Sequence, residues 1–183
     1  MSRRNNSAMR SYGRHLVSMF CAVALAIGLS AAPSFAEGEG LRRGPVTNLP
    51  LPRYVSLKAT KANVRRGPSL THRIDWIFKR RDMPLVVTAE HGHWRRVQDI
   101  DGAGGWVHYS LLSGSRTVIV TADMLPLNMR AEPDTPMVAQ LELGVVAHLQ
   151  KCGQDWCRIS TGGYKGWVQK TNIWGVGADE IRD

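Results

Sequence analysis

Cysteine is scarce in this chain of 183 residues: Cys21, Cys152 and Cys157 are the whole complement. Cys21 follows Phe20 inside an apolar run, whereas a lipid-bearing cysteine follows such a run and a small residue, so lipidation is not expected. Long apolar runs are equally rare. The one present, Leu16 to Leu29, holds about 14 residues where a membrane-spanning helix needs roughly 20. No second run follows it, and a soluble product is expected. A Gly-x-Ser-x-Gly elbow is missing, which removes the commonest signature of a serine nucleophile. No amphipathic helix of useful length shows either, which turns the reading toward strands.

What is present begins with Arg3, Arg4, Arg10 and Arg14 ahead of the apolar run, then Pro33 and the small-x-small triplet Ser34-Phe35-Ala36. That order is a secretory signal, with cleavage expected before Glu37. Asn5 and Asn6 stand where a twin-arginine signal continues apolar, so general secretion is the reading. The whole chain carries +9, but the four signal arginines leave with the signal, so the exported part holds 20 basic and 15 acidic residues. Export therefore makes nucleic acid an unsuitable partner and acidic wall or membrane components the natural ones. A periplasmic or secreted location is expected. In that oxidising setting Cys152 and Cys157 read as a disulfide, not a nucleophile.

The exported part repeats itself. Asn63-Val64-Arg65 matches Asn128-Met129-Arg130, and Pro68 matches Pro133. Trp94-Arg95-Arg96-Val97 then matches Trp156-Cys157-Arg158-Ile159, and Gly105-Trp106-Val107-His108 matches Gly166-Trp167-Val168-Gln169. Short β-branched and aromatic runs separated by Gly, Pro and Asp predict an all-β unit in each copy. Expected strands of the first copy are Tyr54 to Lys58, Ile74 to Lys79, Leu85 to His91, Trp94 to Gln98, Gly105 to Tyr109 and Arg116 to Thr121. Those of the second are Val118 to Ala122, Met137 to Leu141, Val145 to Cys152, Trp156 to Thr161 and Tyr164 to Gln169. Val118 to Val120 thus ends one copy and opens the next. The expected organisation is a signal peptide (1–36), a flexible segment (37–53), two domains (54–117 and 118–176) and a C-terminal tail (177–183).

The ordered elements Asn63 to Pro68, Trp94 to Val97 and Gly105 to Val107, repeated in the second copy, resemble the bacterial SH3-like domain family. The second copy departs at Ala131-Glu132-Pro133, where its turn lacks the glycine. The run Gly163 to Val168 with Asn172 to Gly175 is similar to a proteobacterial branch of that family. The resemblance implies two tandem small barrels of five or six strands, acting as binding modules for cell-wall peptides or partner proteins.

Candidate chemistry is sparse. Glu90 and Arg95 align with Cys152 and Cys157, as an ion pair and a disulfide would if those positions face each other across a hairpin. His91-Gly92-His93, with His72 and His108, raises a metal reading that solvated turn histidines explain better. Asp99-Ile100-Asp101-Gly102 lacks the later glutamate of a calcium loop and reads as a turn. From Tyr54 to Thr117 there are 11 basic and 5 acidic residues, against 5 of each from Val118 to Val176. Arg65, Arg66, Lys79, Arg80, Arg81, Arg95 and Arg96 are therefore the candidate ligand contacts. Trp94, Trp156, Trp106 and Trp167 recur and are expected in the core. Trp76 and Trp174 lack partners by alignment, and are the aromatics expected to stack on a ligand or pack between copies. The expectation is a non-enzymatic envelope protein without a cofactor, binding peptidoglycan or another anionic component, an anionic membrane surface included. The alternative is a structural subunit docking onto an envelope protein.

Overall fold

The computed structural model describes residues 42–183, so the expected signal peptide lies outside the described residues. A hairpin of β1 (Arg42–Arg43) and β2 (Pro50–Leu51) comes first. The first domain follows as β3 (Arg53–Leu57), β4 (Ala62–Arg65), β5 (Ile74–Phe78), β6 (Pro84–His91), β7 (Trp94–Gln98), β8 (Gly104–His108) and β9 (Leu112–Ser113). The second is β10 (Thr117–Val120), β11 (Leu125–Asn128), β12 (Met137–Leu141), β13 (Val146–Cys152), β14 (Trp156–Thr161), β15 (Tyr164–Gln169) and β16 (Ile173–Trp174). Each domain is one antiparallel seven-stranded sheet, ordered β5-β4-β8-β7-β6-β3-β9 and β12-β11-β15-β14-β13-β10-β16. The orders are the same position for position, so the repeat in sequence is a repeat of topology.

Alternation builds the two cores. In β7, Arg95 and Val97 point inward while Trp94 and Arg96 point out, and in β14 Cys157 and Ile159 are buried between outward Trp156 and Arg158. Leu57, Val64, Leu85, Val87, Val97 and Val107 fill the first core, and Val120, Leu127, Leu149, Ile159 and Val168 the second. The recurring tryptophans are not in either core, contrary to the sequence expectation. Trp94 and Val97 stand three residues apart in one strand, and Trp106 is adjacent to Val107, so burying the valine turns the tryptophan outward.

Strand ladders also correct the repeat alignment. Val64 pairs with Trp76 and is fully buried, as is Leu127, which pairs with Ala139, and the same bulge follows in both ladders. Arg65 is therefore equivalent to Asn128, and the matching triplets are displaced by two residues. Met129, aligned with Val64 by sequence, is 56% exposed. The run at Val118 belongs to the second domain alone: β10 pairs with β13 and β16, and the first domain has β9 against β3 in that role.

The chain ends of the described region are tied down. Residues 42–53 are not the flexible segment expected, because β1 and β2 pair and Leu51 is 4% exposed in the first core. At the other end Cys152 N–H donates to Arg182 O at 2.8 Å, and Lys170 Nζ donates to the carbonyls of Ala178 and Glu180 at 3.0 and 2.9 Å. Arg182 thus pairs with β13 past the end of β10, and the hairpin meets the Glu90 end of β6 past the end of β3.

Candidate binding site

The outward side chains of β4, β8 and β7 form one face on the first domain. Trp94 stands opposite His108, and Arg96 opposite Trp106, which is itself opposite Arg65. The Trp94 and His108 rings meet edge to face with centroids 5.6 Å apart, and His108 Nδ1 lies 2.7 Å from Ser110 Oγ. Arg65 Nη1 donates to the carbonyls of Leu70 and His72 at 2.9 and 2.7 Å, bracing the loop between β4 and β5 against this face. Two hollows meet at Arg65. One, of about 310 Å³, is lined by Lys61, Asn63, Leu70, Trp94 and His108, with Arg65 at its edge. The other, of about 400 Å³, is lined by Arg66, Asp75, Arg96, Gln98 and Trp106 together with Arg65.

The first hollow recurs in the second domain. A cavity of about 350 Å³ is lined there by Pro126, Asn128, Thr135, Trp156, Gln169 and Asn172. Asn128 Nδ2 donates to Glu132 O at 3.1 Å, bracing the same loop that Arg65 braces in the first domain. The tryptophan is kept, while Arg65 and His108 give way to Asn128 and Gln169 and Asp134 brings a carboxylate to the lining.

Residues 58–114 and 125–175 match the family model of the bacterial SH3 domain. The chain belongs to the bacterial SH3 domain family. No curated protein matches it. Among solved structures it is similar to NlpC2 and NlpC1 of Trichomonas vaginalis, each 11% identical with a TM-score of 0.32. The NlpC2 match covers 67% of this chain and 47% of that one, and the NlpC1 match 72% and 49%. The chain thus spans about half the length of those two structures, and a likeness so slight carries nothing about activity.

Within the bacterial SH3 domains, the residues expected to bind separate into groups. Arg65, Arg66 and Arg96 are brought together. Arg95 is not available: it is 7% exposed, its Nη1 donates to the carbonyls of Gly92 and Trp94 at 2.9 Å each, and its Nε lies 3.4 Å from Glu90. It faces Glu90 directly across the β6–β7 hairpin, as Cys157 faces Cys152 across β13–β14, where the two form a disulfide. Lys79, Arg80 and Arg81 lie past the Phe78 end of β5, at the opposite end of the β4–β5 ladder from Arg65. Arg80 Nη1 donates to Gly144 O of the second domain at 2.9 Å, so it spans the two domains. Trp174 stacks edge to face on Tyr54 at 5.3 Å and is likewise an interdomain residue. Trp76, 51% exposed on β5, lines neither hollow of the first domain.

Sequence reasoning missed Trp94, Trp106 and Gln98 as surface residues. The signal was there: each neighbours, or stands an odd number of positions from, a valine that must be inside. Asp99, in the acidic loop, has its Oδ1 accepting from the N–H groups of Asp101 and Ala103 at 3.1 and 2.8 Å, which is a turn brace.

Proposed function

We propose that this is a non-enzymatic binding or scaffolding protein of the cell envelope, recognising peptidoglycan peptides or another anionic envelope component through its first bacterial SH3 domain. One observation carries the reading: the tryptophan-lined hollow is present in both domains, but only in the first is it surrounded by arginine, lysine and histidine. A flat indole offers a stacking surface, and guanidinium groups beside it offer paired donors to carboxylates. The expected signal at Met1 to Ala36 and the Cys152–Cys157 disulfide both favour a periplasmic or secreted location.

Sedimentation with purified peptidoglycan across a salt series tests this. Retention at low salt that falls as salt screens the arginines is expected, and Trp94→Ala should reduce it about tenfold. No retention at low salt would reject the reading. Docking onto an envelope protein is favoured by a different observation, the exposed Ile74, Trp76 and Ile77 on the edge strand β5. Co-purification of one stoichiometric protein, lost in Trp76→Ala, would select it.

A further inference from the structure

We infer that the hollow bounded by Arg65, Arg66, Arg96 and Trp106 is a carboxylate pocket that takes an acidic side chain or chain end of a bound peptide. The inference rests on the binding function proposed above and specifies where a ligand's charge is held. Its basis is the register. Arg65, Trp106 and Arg96 lie directly opposite one another on β4, β8 and β7, so their side chains leave the sheet on one face with an indole between two guanidinium groups. Arg66 closes the end of the hollow, its Nε 3.0 Å from Asp75 Oδ2. Asp75 is shared with Arg73, whose Nε lies 2.6 Å from Oδ1, so this single carboxylate is matched by two cations and does not neutralise the pocket.

Arg96 supplies the decisive group. Its side chain is exposed and has no acceptor among the described residues, leaving the guanidinium fork open to a ligand. Gly102, Gly104 and Gly105 line the same hollow, so no side chain narrows the approach. Gln98 adds an amide able to pair with a peptide group, and Trp106 adds an apolar wall, neither of which a phosphate needs. The volume of about 400 Å³ accommodates a side chain and adjoining backbone.

An internal control comes with the fold. In the second domain Arg158 and Trp167 keep the places of Arg96 and Trp106, but Asn128 replaces Arg65. Met129 stands where Arg66 does and Lys165 where Gly104 lines the hollow, so the second domain does not repeat three guanidinium groups around a glycine-lined approach.

The test follows the Trp106 indole N–H by NMR, assigned with Trp106→Phe, while soluble peptidoglycan fragments are added in native form and with their carboxyls amidated. Native fragments should shift this resonance saturably, with amidated fragments binding about tenfold more weakly. Arg96→Gln and Arg66→Gln should each weaken native binding about fivefold or more, while Arg158→Gln leaves it unchanged. Equal binding of native and amidated fragments, full binding by Arg96→Gln, or inorganic phosphate competing as well as the fragments would each overturn the pocket. If Arg96→Gln still sediments with peptidoglycan as the parent does, the pocket alone falls. If the parent does not sediment and no fragment shifts Trp106, both readings fall.

Discussion

Glu90 is a carboxylate with no exposed side-chain surface, set between a domain and the hairpin that precedes it. Its Oε2 accepts from the N–H groups of Val46 and Thr47 at 3.1 and 2.9 Å, and its Oε1 from Thr47 Oγ1 and Arg53 Nη2 at 2.6 and 2.7 Å. Burial alone would raise its pKa, but these donors outweigh burial and lower it from 4.5 to about 2. Because the folded value is the lower one, the stabilisation is complete above the unfolded value of 4.5 and is lost as pH falls toward 2. The shift corresponds to about 3 kcal/mol. Denaturant midpoints measured between those limits should fall more steeply for the parent than for Glu90→Gln, and parallel curves would show the carboxylate to be unimportant. Glu180, also held low by Arg116 against the effect of burial, adds to both curves alike. Sequence identified Glu90 by its alignment with Cys152 and matched it with Arg95. Thr47 and Arg53 were beyond reach, because contacts across more than 30 positions of chain leave no local pattern.

The same contrast holds between elements. Hairpins were legible: β7, β12, β14 and β15 run as expected to the residue, since alternation and a short turn determine them locally. β4 and β11 were not, because β4 is four residues that run on toward the Gly67-Pro68 turn and Pro126 interrupts β11, and the two-residue β9 and β16 are too short to show a period. The Gly-Trp motif acquires its reason only from the sheet. A Cβ on Gly105 would come 2.7 Å from Arg65 O, and one on Gly166 would come 2.7 Å from Asn128 O, the equivalent carbonyl. Both glycines therefore let a strand approach its neighbour closely enough to pair at one position. Gly166→Ala should destabilise the second domain by about 1–3 kcal/mol, because the obstructing atom is backbone and cannot turn aside. Thermal unfolding that separates the domains would register this, and an unchanged transition would show that β11 and β15 can part without loss.

At the scale of the whole molecule, side-chain contacts as well as a short connection join the two domains. Only Gly114 to Arg116 separate β9 from β10. Tyr54 of the first domain receives Trp174 edge to face at 5.3 Å with an interplanar angle of 86°, and Arg116 lies over its ring at 5.5 Å. Arg116 is held in turn by Glu180, at 2.6 and 3.0 Å, and by Gly175 O at 2.8 Å. The C-terminal tail thus bears on the interdomain contact through one arginine. Tyr54→Ala and Trp174→Ala each remove the same ring pair, so their combined cost should be less than the sum of the two, with a coupling of about 0.5–1.5 kcal/mol. Either substitution should leave both sheets folded, since neither ring belongs to a core. Backbone relaxation should then show the domains tumbling more independently than in the parent. Additive costs, or unchanged tumbling in the double variant, would mean that Arg80 and the short connection alone hold the two domains together.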